Sequence, residues 1–60
     1  MKLSEIKAGE IFTVGNTPSY PKLRTEYGWL DIRDQIKKVA TDVPWNLRLL
    51  TDEEKKKWGL

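Results

Sequence analysis

The sequence predicts a mainly β fold: a small antiparallel sheet, or a partial SH3-like barrel, ending in a short C-terminal helix. Three observations lead there. β-Branched and aromatic residues gather in short runs such as Glu10-Ile11-Phe12-Thr13-Val14. Glycine, proline and asparagine punctuate those runs, most densely at Gly15-Asn16-Thr17-Pro18-Ser19. Only the last ten residues carry both a helix start and a helix stop.

Taken in order, Leu3 to Ala8 reads as a lead-in turn closed by Gly9, followed by a first strand over 10–14. A second strand covers 20–25, with Pro21 at its start, where a missing N–H is tolerated. Glu26-Tyr27 reverses the chain into a third strand over 28–33. Asp34 to Ala40 fits two patterns. Trp29, Ile32, Ile36 and Val39 recur at helical spacing, and Asp34 with Lys38 forms a favourable (i, i+4) pair, so a short helical turn or an irregular strand is expected. Thr41-Asp42-Val43-Pro44 breaks that segment, and 45–50 alternates as the last strand. Thr51 with Glu54 three residues later forms a capping box, acids fill the first turn, Lys55-Lys56-Lys57 the last, and Gly59 stops the helix. Such a lysine run solvates a helix end more naturally than it makes a nucleic-acid patch.

Sixty residues make one domain, 1–60, with a thin core, since a chain of this length buries only about 60% of its unfolded surface. An apolar fraction of 38% with 33% charged residues suits a globular chain rather than a disordered one. The absence of Cys and His rules out disulfides and His/Cys metal sites, so no metal or cofactor is expected. The same absence removes Ser–His and Cys–His nucleophile systems. Asp31, Asp34 and Asp42 are the remaining acid–base candidates, but each lies close to Lys or Arg or in a turn, and structural ion pairing is the simpler role. Gly9, Gly15 and Gly28 are isolated turn glycines, not a phosphate loop. No run approaches the ~20 apolar residues of a membrane span and the first residues do not resemble a signal peptide, so a soluble, cytoplasmic, non-catalytic protein with no membrane partner is expected.

The stretch 20–33 carries most of the functional information. An even-length reversal at Glu26-Tyr27 pairs Leu23 with Leu30 and Pro21 with Ile32, giving one apolar face, expected to be the core. The opposite face then pairs Tyr20 with Arg33, Lys22 with Asp31 and Arg24 with Trp29. Tyr, Trp and Arg dominate interface hot spots, so Tyr20, Lys22, Arg24, Trp29 and Arg33 are the candidate partner-binding residues. Two plainer roles compete: a solvated sheet face, or a core position for Trp29 beneath the C-terminal helix. Stacking on single-stranded nucleic acid is an alternative use of the same residues.

Ile6-Lys7-Ala8-Gly9-Glu10-Ile11-Phe12, Tyr20-Pro21-Lys22-Leu23-Arg24-Thr25 and Tyr27-Gly28-Trp29-Leu30-Asp31-Ile32-Arg33 together resemble small β-hairpin proteins of phages and bacteria. The resemblance covers about half the chain. It implies a β-hairpin or partial-barrel domain of phage or mobile-element origin and brings no site residues with it. The leading expectation is a protein-binding or regulatory module, of the kind a phage uses to inhibit a host protein. A weak nucleic-acid binder and a structural subunit of a larger assembly, including a homo-oligomer, are the alternatives.

Overall fold

A computed structural model of the chain describes residues 1–15, 20–39 and 42–60. Among the described residues, a 3₁₀ turn, Leu3–Glu5, precedes five strands: β1 Ile11–Val14, β2 Lys22–Arg24, β3 Gly28–Asp31, β4 Lys37–Val39 and β5 Leu47–Leu49; the helix α1, Asp52–Trp58, follows them. The strands form one antiparallel sheet in the order β4-β3-β2-β1-β5. Among the described residues the sheet is open, with β4 and β5 as its edges, and it does not close into a barrel. The expected turn at Asn16-Thr17-Pro18-Ser19 lies outside the described residues, as do Ala40 and Thr41.

The hairpin register follows the alternation: Lys22 pairs with Asp31, Leu23 with Leu30 and Arg24 with Trp29. Of the described residues 34–39, Lys37–Val39 form a strand, the second of the two expected readings. The Asp31 carbonyl accepts the Gln35 N–H, Gln35 takes a left-handed backbone (φ 57°), and the chain emerges as β4. At the other end of the sequence, Lys7 to Glu10 form a turn in which Gly9 adopts φ 94° and Glu10 N–H bonds back to the Lys7 carbonyl. Gly9 N–H donates to the Arg24 carbonyl while Arg24 N–H donates to the Glu10 carbonyl, so two residues oppose one. That is a glycine β-bulge. It re-aims the chain so that the 3₁₀ turn folds back over the sheet.

The turn brings Leu3 and Ile6 against Phe12, Trp29 and Leu47, which together form the core, with Val14 and Val43 packed beside them. Asp42 fastens this cover by accepting the Leu3 and Val43 N–H groups. The core therefore lies on the face of Phe12, Lys22, Arg24, Trp29 and Asp31, opposite to the face expected from sequence. Leu23, Leu30 and Ile32 are only half-buried, although Pro21 is buried. The expectation fails because alternation defines two faces without saying which one the flanking chain will cover.

α1 is built as its sequence indicates. Thr51 Oγ1 accepts the Glu54 N–H, Glu54 reaches back to the Thr51 N–H, and Gly59 ends the helix in a left-handed conformation (φ 78°). Gly59 and Leu60 N–H groups bond to the Lys56 and Lys55 carbonyls, a Schellman closure. The helix belongs to the sheet face of Leu23 and Leu30, because Arg48, the partner of Thr13 on that face, grips Glu54 in a two-pronged ion pair of 2.6 and 2.8 Å. No helix among the described residues is long and apolar enough to cross a membrane.

Candidate functional site

The five residues proposed from sequence separate into an inner and an outer group. Lys22 and Trp29 are buried, at 8% and 9% exposure, and Trp29 is part of the core beneath the 3₁₀ turn rather than beneath α1. An edge-on contact with Trp45, 5.8 Å between ring centres, completes its surroundings.

Arg24 is half-buried and committed to the fold. Its Nε donates to the Leu3 and Ile6 carbonyls (3.1 and 3.0 Å) and its Nη1 to the Thr25 and Gly28 carbonyls (2.7 and 2.6 Å). One guanidinium thus ties the cover to the hairpin. Charged donors of this kind are about twice as strong as neutral ones. The outward position expected for Lys22, Arg24 and Trp29 is corrected: Lys22 and Trp29 are buried with Lys22 over the Trp29 ring at 5.8 Å, and Arg24 reaches the backbone instead of that ring.

Tyr20 and Arg33 remain at the surface. The Arg33 guanidinium lies 4.5 Å from the Tyr20 ring centre, as the register requires. On the same ring, at 5.0 Å and tilted by 46°, sits Trp58 from the last turn of α1. Tyr20 and Trp58 are 41% and 42% exposed and the Arg33 side chain 59%, so three large, flat groups present one solvent-facing patch.

The patch is held from below. Asp31, itself buried, places Oδ2 3.8 Å from Lys22 Nζ and 3.7 Å from Arg33 Nη2, and its Oδ1 accepts the Arg33 N–H. Lys22 Nζ in turn donates to the Tyr20 carbonyl at 2.9 Å. A single carboxylate thereby sets both the backbone of Tyr20 and the guanidinium above its ring. Such support holds Arg33 and the Tyr20 backbone in place in the free protein, and a surface ordered in advance loses less entropy in any association.

Sequence reasoning missed Trp58, whose signal was present: an aromatic in the last helical turn, just before the stop glycine. The three lysines beside it drew attention to charge instead. The carboxylate candidates also have structural roles. Asp31 anchors two cations, Asp34 accepts the Ile36 N–H, and Asp42 fastens the cover. No family model, curated protein or solved structure matches the chain, so the likeness to phage and bacterial hairpin proteins receives no support from that side.

Proposed function

We propose that the protein is a small non-catalytic module that binds another protein through the Tyr20–Arg33–Trp58 patch. The observation that carries this reading is the pre-set stack of two exposed aromatic rings and a guanidinium, the residue types that anchor protein interfaces. The resemblance to phage hairpin proteins suits a module that regulates a host protein by occupying its surface. The nucleic-acid alternative rested on three cations, and two of them, Lys22 and Arg24, are turned into the fold.

The test compares wild type with Arg33→Ala and Tyr20→Ser, after thermal melts show that both variants fold. Immobilised wild type is expected to retain a discrete protein from host lysate, with retention lost in both variants and changing little with salt. Random single-stranded and duplex oligonucleotides at ~50 mM salt are expected not to bind. Equal retention by the variants would remove the patch from the interface. Tight oligonucleotide binding, with a log–log salt slope of about −0.7 per phosphate on a single strand, would replace the reading with nucleic-acid binding.

A further inference from the structure

The sheet has two edges, and they are finished differently. At β5 the Met1 nitrogen donates to the Leu47 carbonyl at 3.0 Å, and Leu47 is buried. At β4 all three residues are exposed, Val39 by 87%. Hydrogen-bond alternation fixes which backbone groups point outward there. Thr25 N–H bonds to the Gly28 carbonyl and Ile32 N–H to the Pro21 carbonyl, so Gly28, Leu30 and Ile32 direct their backbone groups at β2. Trp29 then bonds with its β4 partner Lys38, and the N–H and C=O of Lys37 and Val39 point away from the sheet.

This edge has a chemical preference. Lys37 and Lys38 sit on it side by side, and neither belongs to an ion pair among the described residues. A groove of about 200 Å³ runs beside them, lined by Thr25, Glu26, Tyr27, Lys37, Lys38 and Val39, with Tyr27 72% exposed. Glu26 is the one acid in that lining, so the groove keeps a positive balance. Antiparallel pairing of β4 with a second copy of itself, centred on Lys38, would set Lys38 against Lys38, and like charges directly opposite one another destabilise a strand pair.

We propose that β4 is a strand-addition site that accepts an extended acidic polypeptide segment as a sixth strand. Backbone bonds would form at Lys37 and Val39, adjacent carboxylates would meet Lys37 and Lys38, and an apolar side chain would cover Val39 beside Tyr27. The surface is separate from the Tyr20–Arg33–Trp58 patch, and the proposal stands without it.

The experiment is amide hydrogen exchange by NMR on the full chain, with a blocked octapeptide of Val and Thr carrying two adjacent Glu. With peptide, the Lys37 and Val39 amides are expected to exchange at least 10-fold more slowly, and that of Lys38, already bonded inward, to change little. Val39→Pro removes an outward donor and leaves the inward pair intact, so binding should weaken at least 10-fold. Should that variant fail to fold, Lys37→Glu with Lys38→Glu, both on exposed side chains, should transfer the preference to a peptide with Lys in place of Glu. Arg33→Ala should leave peptide binding unchanged, which separates this site from the other patch. No slowing at Lys37 and Val39 at millimolar peptide would overturn the proposal. So would slowing that grows with protein concentration alone, which marks self-association, or displacement of the peptide by a single-stranded oligonucleotide.

Discussion

The two faces of the sheet are built from similar material and stabilised in opposite ways. The face under the 3₁₀ turn holds Phe12, Trp29 and Leu47, yet also Lys22, Arg24 and Asp31, and it is the core. The face toward α1 holds Ile11, Leu23 and Leu30, which stay half-buried, beside Arg48 and the buried Thr13 and Leu50. Apolar content therefore did not choose the inside. The 3₁₀ turn did, because Leu3 and Ile6 bring both apolar side chains and carbonyls that accept the Arg24 guanidinium. A cation can lie against a core when several oxygens already face it. α1 brings no buried residue and is secured through Arg48–Glu54 and Trp58–Tyr20.

The difference between the faces is tested most directly at Phe12 and Leu30. Phe12→Ala, on the closed face, is expected to cost about 3–5 kcal/mol, enough to unfold most of so small a domain. Leu30→Ala, half-buried on the other, should cost below about 2 kcal/mol, short of the full-burial range. Urea titrations of both variants decide the point, and a larger loss at Leu30 would restore the apolar face as the core. Next in size, Arg24→Met keeps the aliphatic stem and removes the donors, leaving the Ile6 and Thr25 carbonyls short of partners, at a cost of about 1–3 kcal/mol. An unchanged urea midpoint would mean that apolar packing alone holds the cover.

The smallest effect belongs to the helix side. The Glu54 carboxyl is lowered to about 2, first by the Arg48 hydrogen bond and then by the Thr51 N–H. A depressed acid stabilises the fold fully above its unfolded value near 4.5, and that contribution fades as pH falls from there toward 2. Helical circular dichroism should weaken in that window while core tryptophan emission holds. Glu54→Gln should remove the pH dependence, and a loss of helix that persists in it would assign the transition to other carboxylates.

Much of this was legible in the sequence, and the limit has a physical origin. Register was readable because a period of two leaves few sensible pairings: Lys22 with Asp31 and Leu23 with Leu30 satisfy both faces at once. The caps of α1 were readable because Thr51, Glu54 and Gly59 each act on neighbours within a few residues. Which face closes depends on Leu3 and Ile6, far from the hairpin in the chain, and no local pattern reports that. β4 was obscured because Ile36 and Val39 also fit a helical spacing, and the left-handed turn at Gln35 uses a residue with no special preference for it. At the candidate site, Tyr20 with Arg33 followed from the register, whereas Trp58 arrives from the far end of the sequence.

The strand order also has a consequence in time. β1 to β4 form a meander in which each strand pairs with its neighbour in sequence, and the β2–β3 reversal at Glu26-Tyr27 closes a minimal loop. β5 pairs with β1 across about thirty residues, roughly four doublings of loop length beyond that reversal, which adds about 2 kcal/mol of closure entropy. The hairpins close short loops, so the β1–β5 seam is expected to be the slower pairing to form.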